Sequence, residues 1–347
     1  MSDGLSGGLP AAPLQQAIAL SDSSQVGEAR RLAGYAGYRA GLSEPDCARA
    51  AVIATELATN AIRHAKGGEL LIRTQADPAR KAVELIALDR GPGMADTARC
   101  MADGYSTAGS LGHGLGAISR LSSSMDIYSV PGRGTAVYSR VEAAQRRTQS
   151  SPEDTEQCAI SVAAPGETEC GDNCRVARSD GFVAVVVADG LGHGPLAARP
   201  ANEAVEVFEK SPFQAPESYL TKAHEALHGT RGAAVACVRV DLGSRTLLYV
   251  GVGNISASIV DHDTLKEKSL PSHNGIVGVQ MGRVQQFEYP VLEGDLLVMH
   301  SDGLTSRWKL ADYPGLACRA PALVAAVLYR DFKRSRDDAT VVVVRLR

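Results

Sequence analysis

The residues in this chain best suited to chemistry are aspartates placed where apolar strands end. Asp189 follows Phe-Val-Ala-Val-Val-Val-Ala and precedes Gly190. Asp302 follows Leu-Leu-Val-Met-His-Ser and precedes Gly303. Asp337 and Asp338 precede Ala-Thr-Val-Val-Val-Val, and Asp172 lies in Cys-Gly-Asp-Asn. A strand holds a terminal carboxylate in a defined place, and a following glycine leaves room for a hydrated ion. Hard cations such as Mg²⁺ and Mn²⁺ take oxygen ligands and keep some of their waters. Several carboxylates converging from separate strands suit a two-metal site, which lowers the pKa of a bridging water and clamps phosphoryl oxygens. Such a site needs no nucleophilic Ser or Cys. One Asp-Gly alone is more often a turn; the repetition at strand ends is what argues for a site. His193, in Gly-Leu-Gly-His-Gly, is open to three roles: orienting water, donating a proton, or shaping its glycine-rich loop.

A second constellation lies in the first half. Glu56 and Asn60, in Glu-Leu-Ala-Thr-Asn-Ala, share one face of a helix, where a carboxylate and an amide can polarise a hydroxyl and hold Mg²⁺. Asp89 ends an apolar strand and opens Asp-Arg-Gly-Pro-Gly-Met, so it can accept a hydrogen bond from an exocyclic amine, while Gly91 and Gly93 allow close approach. Gly112-His113-Gly114-Leu115-Gly116 opens a helix, where backbone N–H groups favour phosphate. It is not a dinucleotide fingerprint, because no strand leads directly into it. Gly132-x-Gly134-Thr135 follows. Arg63 and His64 either face phosphates or sit on a solvated helix end. His113 either contacts phosphate or lies on a lid surface.

These residues need scaffolds. Helical periodicity covers Val26 to Arg39, and Ser43 with Asp46 and Pro45 marks the start of a second helix running to about Ala65. Strands are expected at Glu69–Thr74, Ala82–Leu88, Met125–Val130 and Thr135–Val141, and a helix at Ala117–Leu121. The polar stretch from Glu142 to Gln157 reads as a linker. Beyond it, strands are expected at Phe182–Ala188, Ala233–Asp241, Thr246–Gly251, Ile255–Asp261, Asp295–Ser301 and Thr340–Leu346, with helices at Pro195–Lys210, Pro216–His228 and Ala320–Phe332. The expected division is a disordered lead-in over 1–18, a first domain over 19–142, a linker over 143–157 and a second domain over 158–347.

Composition bounds the rest. The 347 residues are 44% hydrophobic and 22% charged, which is ordinary for globular protein and long enough for two cores. A net charge of -3 gives no pull toward nucleic acid or anionic membrane. No apolar run approaches the roughly 20 residues that span a bilayer, and no signal peptide is visible, so a cytoplasmic location is expected. The seven cysteines are odd in number and scattered, which argues for reduced thiols.

The order of motifs in the first half resembles the GHKL ATP-binding fold over about Ala19 to Val141. Met101-Ala-Asp-Gly-Tyr-Ser-Thr-Ala-Gly-Ser-Leu-Gly112 resembles the RsbT type of serine kinase. The resemblance implies Glu56 as base, Asn60 as Mg²⁺ ligand, Asp89 at adenine, and Gly91, Gly93, Gly112, Gly114, Gly116 and Thr135 around ATP. In the second half, Ala-Asp-Gly-Leu-Gly-His-Gly-Pro at 188–195, His-Ser-Asp-Gly-Leu-Thr at 300–305, Arg-Asp-Asp-Ala-Thr-Val at 336–341, Gly253-Asn254 and Asn274-Gly-Ile-Val-Gly278 resemble the PPM/SpoIIE phosphatases, in their compact RsbX branch. That resemblance implies two Mn²⁺ or Mg²⁺ ions on Asp172, Asp189, Asp302 and Asp337 with the Gly190 carbonyl, Asp338 being the weaker choice of the final pair. The aromatic residues common after the first aspartate are replaced here by Asn173 and Cys174. The expected fold is α/β in two domains, a GHKL α/β sandwich with a mixed sheet and a PPM-type αββα sandwich. The expected partner is a STAS-domain protein phosphorylated and dephosphorylated on serine or threonine. A non-catalytic ATP sensor gating the phosphatase and an anti-sigma binding module are the alternatives.

Overall fold

The computed structural model describes residues 15–74, 81–101, 114–143 and 156–347. The chain divides into two compact units, Met1–Ser150 and Ser151–Arg347.

The first unit runs β1 (Gln15–Leu20), α1 (Ser24–Arg39), α2 (Glu44–Ala65), β2 (Gly68–Thr74), β3 (Ala82–Leu88), α3 (Thr97–Met101), α4 (Gly114–Leu121), β4 (Ser124–Ser129) and β5 (Thr135–Glu142). The start of α2 follows from chemistry: Ser43 caps it by accepting the Asp46 N–H, and Pro45 sits in the first turn, where its missing N–H costs nothing. The helix ends at Lys66, which takes a left-handed φ of 59° before Gly67. The strands form one sheet in the order β1-β2-β3-β5-β4. Every pairing is antiparallel, not the mixture expected, because consecutive strands here are joined by hairpins or by helices that return the chain to an antiparallel neighbour. Ala29, Ala33 and Ala36 of α1 and Ile53, Leu57 and Ala61 of α2 pack with Leu70, Ile72, Leu85 and Val137 in one core. The small alanines of α1 let it approach α2 closely; a Cβ on Gly37 would lie 2.9 Å from Cys47 Sγ.

Strand β1 begins at Gln15, so residues 15–18 belong to the sheet and not to a lead-in. Only Ile18 and Leu20 of this strand are buried, and that pattern is too short to register as periodicity.

The second unit runs β6 (Gln157–Val162), β7 (Asp172–Ser179), β8 (Phe182–Gly190), α5 (Pro195–Lys210), α6 (Pro216–Ala226), β9 (Ala233–Asp241), β10 (Thr246–Val252), β11 (Ser256–Val260), β12 (Glu267–Leu270), β13 (Gly275–Ile276), β14 (Gln280–Met281), β15 (Phe287–Pro290), β16 (Leu296–His300), α7 (Pro321–Phe332) and β17 (Ala339–Arg345). Two five-stranded sheets form, β15-β10-β9-β8-β7 and β12-β11-β16-β17-β6, with β13 and β14 as a separate hairpin. The unbroken apolar run of β8 serves two faces. Val183, Val185 and Val187 pack with Leu297, Met299, Val342 and Val344 of the other sheet. Ala184, Val186 and Ala188 pack with Ala201, Ala204 and Phe208 of α5 and Leu220 of α6. Helix α7 lies on β17 and β6. The result is the αββα layering expected.

Strands β6 and β7 were not expected. β7, Asp-Asn-Cys-Arg-Val-Ala-Arg-Ser, is an edge strand whose residues after Asp172 are at most half-buried, so it carries no apolar alternation.

Candidate functional site

In the second unit the strand ladders bring the aspartates to one end of the two sheets. The β7–β8 register sets Asp172 directly opposite Asp189. Asp189 and Gly190 do not follow strand β8, as expected, but occupy its last ladder positions, paired with Ala234 and Ala233. On the other sheet, Asp302 lies just past β16 and Asp337 just before β17, and these two ends are tied by Ser301 N–H to Thr340 O at 3.0 Å. Close approach explains both Asp-Gly steps. A Cβ on Gly190 would lie 1.9 Å from the Ala197 carbonyl oxygen, and one on Gly303 would lie 1.8 Å from that of Asp338.

Asp172, Asp302, Asp337 and Asp338 each accept a hydrogen bond. Ser301 Oγ donates to Asp172 Oδ2 at 2.6 Å and accepts the Thr340 N–H at 3.1 Å. Asn254 Nδ2 donates to Asp302 Oδ2 at 2.7 Å. Asp338 is buried; its Oδ1 accepts the Ala164 N–H at 2.8 Å, while its Oδ2 is buried without a hydrogen-bond partner. Asp337 Oδ1 accepts the Asp338 N–H at 3.0 Å and the residue is only half-buried. Of the final pair, Asp338 is thus the anchor for a neighbouring loop and Asp337 the more open carboxylate. His193 Nδ1 lies 2.6 Å from Glu167 Oε1, a contact that sets the orientation of the ring. His300 is fixed between the Ser301 carbonyl and Trp308 Nε1–H, and burial holds its pKa down, so it is neutral and stiffens the strand end that carries Ser301 and Asp302.

The electrostatics follow from this crowding. Burial pushes Asp189 up to about 9, with the charges of Asp172, Asp302 and Asp337 adding to it. Burial pushes Asp172 up to about 7, against the hydrogen bonds from Ser301 and Thr340, which favour its charged form. Asp302 is raised by burial and then by Asp337. These shifts all disfavour the charged forms, and a bound cation would offset them, which fits a hard-metal site. Among the described residues no three His, Cys, Asp or Glu side chains close around a single point. The carboxylates interact electrostatically without forming a closed cage, so each ion would be held by few protein oxygens and by water, as Mg²⁺ prefers.

In the first unit, α2 carries Glu56 and Asn60 one turn apart, and the start of α4 lies over them. A Cβ on Gly114 would stand 3.2 Å from the Asn60 amide atoms and 3.4 Å from Glu56 Oε2. Gly114 and Gly116 already lie within helix α4, Gly114–Leu121, and not in the loop expected before Ala117. Asp89 Oδ1 accepts the N–H groups of Gly91 at 2.8 Å and of Thr135 at 3.1 Å. Gly91 packs on Ala65 at the end of α2, and Gly93 lies against the Val130 carbonyl. Thr135 Oγ1 lies 2.9 Å from Ser129 Oγ. Asp89, Gly91, Gly93 and Thr135 thus form one knot, and Glu56, Asn60 and Gly114 a second group along the same helix. Arg63 and His64 are exposed. Gly112, His113 and nearly all of the expected kinase-like lid lie outside the described residues.

Ser301, Thr340 and Glu167 escaped the sequence reading as individual residues. Their only signal was a place inside or near the quoted motifs.

Comparison with known proteins bears on both units. Residues 19–141 match the histidine kinase-like ATPase domain, and residues 179–347 match stage II sporulation protein E (SpoIIE). The serine/threonine-protein kinase RsbT of Bacillus subtilis (strain 168) is 34% identical over 123 residues, 35% of this chain and 92% of RsbT. The phosphoserine phosphatase RsbX of the same organism is 27% identical over 142 residues, 40% of this chain and 69% of RsbX. A structure solved in work on the bacterial stressosome as a modular system adapted to control secondary messenger signaling is 32% identical, with a TM-score of 0.51, covering 55% of this chain and 98% of that one. The chain belongs to the RsbT-like histidine kinase-type ATPase family through its first unit, and its second unit is an RsbX-like SpoIIE/PPM phosphatase domain. The second unit is accordingly a metal-dependent serine/threonine phosphatase. The SpoIIE match begins at Ser179, beyond Asp172, so the place of Asp172 in the site rests on its pairing with Asp189. No helix among the described residues is long and apolar enough to cross a membrane.

Proposed function

We propose that this chain sets the phosphorylation state of a serine or threonine on a STAS-domain partner in both directions, in the cytoplasm, within a stressosome or sigma-factor pathway. What supports the reading is that the two halves are similar to an opposed pair of enzymes, a kinase and a phosphoserine phosphatase. In the first unit Asn60 would hold Mg²⁺, Asp89 would take the adenine amine, and Gly91, Gly93, Gly112, Gly114, Gly116 and Thr135 would surround ATP. Glu56 would accept the proton of the attacking hydroxyl, so that transfer rests on positioning. In the second unit Asp172, Asp189, Asp302, Asp337 and the Gly190 carbonyl would hold two Mn²⁺ or Mg²⁺ ions. Those ions would supply a nucleophilic water and charge neutralisation for the phosphoryl group. Ser301 and Asn254, hydrogen-bonded to Asp172 and Asp302, would fix the orientation of these two ligands.

The test is phosphate release from a phosphoserine STAS-domain protein, with Mn²⁺ and with chelator, by the wild type and Asp189→Asn. Metal-dependent release that is lost in the variant supports the reading; no release from any phosphoprotein with Mn²⁺ present sinks it. For the first unit, Glu56→Ala should abolish transfer from labelled ATP. Unchanged labelling in that variant removes Glu56 as the base, and ATP that alters only the phosphatase rate replaces the kinase with a gate.

A further inference from the structure

Four large apolar side chains in the second unit are exposed among the described residues, and three of them ring the loop that leaves Asp189: Leu191, Leu196 and Val279. Their neighbourhood is built by backbone contacts. The Leu191 N–H bonds the Gly232 carbonyl at 3.1 Å. A Cβ on Gly232 would meet Val279 Cγ2 at 2.9 Å and Ile276 Cγ2 at 2.5 Å. Leu196 stands at the start of α5, next to Ala197, whose carbonyl packs on Gly190. Val279 is held by its N–H to Ile276, while Val277 bonds Ala233 in both directions. The apolar tips are therefore presented by a braced rim. They are 38%, 62% and 55% exposed for Leu191, Leu196 and Val279. Arg231 is exposed on the same rim, and its Nη1 would lie 3.2 Å from a Cβ on Gly192.

We infer that this rim is the docking surface for the substrate segment, a phosphoserine flanked by apolar side chains on a partner protein. The inference rests on the phosphatase reading and adds what that reading does not name, the sequence chemistry of the substrate. Two features of the rim select this occupant. First, it is continuous with the carboxylates at Asp189, so a segment lying on Leu191, Leu196 and Val279 presents its phosphate beside them. Second, Arg231 supplies an exposed cation on the same rim, beside Gly192, where it can pair with a phosphoryl dianion.

The experiment uses the full chain with Mn²⁺ and three probes: p-nitrophenyl phosphate, a phosphoserine peptide flanked by leucine and valine, and one flanked by glycine and serine. The wild type should prefer the apolar peptide in kcat/KM by about tenfold, as desolvating one or two aliphatic side chains predicts. In the double variant Leu196→Ser, Val279→Ser the ratio of apolar-peptide to p-nitrophenyl phosphate kcat/KM should fall by about the same factor. Both positions are exposed, and an unchanged melting curve confirms the fold. Arg231→Gln should weaken competitive inhibition by inorganic phosphate about tenfold. Equal use of the two peptides, with p-nitrophenyl phosphate turned over, overturns the docking inference and leaves the phosphatase intact. No turnover of p-nitrophenyl phosphate overturns both. A dimer in the wild type that is lost in the double variant assigns the rim to a second copy and overturns the inference.

Discussion

In the first unit the candidate site residues are packed closely against a glycine, whereas in the second carboxylates are gathered in a buried place poor in water. Around Glu56 and Asn60 the structure is made by leaving groups out: an added methyl group at Gly114 would press on both side chains. At Asp189 the structure is made by putting groups in, with Asp172 opposite and Asp302 and Asp337 within electrostatic reach. The first arrangement is close packing that only a glycine permits, and it gathers no set of like charges. The second stores unfavourable charge that only cations or protons relieve.

The largest test of that contrast is a crossed pair of variants. Asp189→Asn should reduce phosphate release by about 10³-fold or more while leaving ATP-dependent labelling in place, since metal clamping is worth several kcal/mol. Glu56→Ala should reduce labelling by about 10²-fold or more and spare phosphate release. Steady-state kinetics with each activity measured on both variants reads the outcome, and a loss of both activities in either variant would break the division of labour.

A smaller effect is expected at Gly114. Gly114→Ala should weaken binding of a non-hydrolysable ATP analogue by about tenfold, close to 1.4 kcal/mol, by calorimetry. Unchanged affinity would mean that the nucleotide does not lie against Gly114.

The mildest effect concerns pH and sharpens the charge side of the comparison. Asp172 and Asp189 have folded pKa values of about 7 and about 9, both above the ordinary carboxylate value of 3.8. A carboxylate raised on folding contributes stability that is fully present below its unfolded pKa and lost as pH rises through its folded pKa. The metal-free protein should therefore melt at progressively lower temperature between about pH 4 and about pH 9, and Mn²⁺ should flatten that slope while releasing protons. Differential scanning calorimetry with chelator and with Mn²⁺ measures both curves. A metal-free melting temperature that climbs over this range contradicts the assignment of buried protonated carboxylates.

Much of the architecture could be read from local pattern. The long helix from Glu44 to Ala65 announces itself through the Ser43 cap, Pro45 and a regular apolar face. The valine-rich strands β8 and β17 are legible because both of their faces are buried. Strands β1 and β7 were not legible, since too few of their residues are apolar in alternation to betray a strand. Strand β6 does alternate, at Cys158, Ile160 and Val162, but it is a short run beside the polar stretch read as a linker. Their place is decided by the partner strand, which supplies the hydrogen bonds that the local sequence does not advertise. The same limit applied to the site. The aspartates could be chosen by their strand–Asp–Gly setting, but the hydroxyl that steadies Asp172 comes from Ser301, 129 positions away.

By itself the sequence determined which residues carry charge, which segments bury both faces, and where a glycine must stand beside an aspartate, because these depend on side-chain chemistry and on neighbours along the chain. The tertiary structure alone decided that Asp172 faces Asp189, that Asn254 holds Asp302, that Asp338 anchors the Ala164 turn, and that Gly114 closes on Glu56 and Asn60. Those relations come from strand register and helix packing over long separations, and register is set by the burial of whole sheet faces, a property that no short stretch of sequence contains.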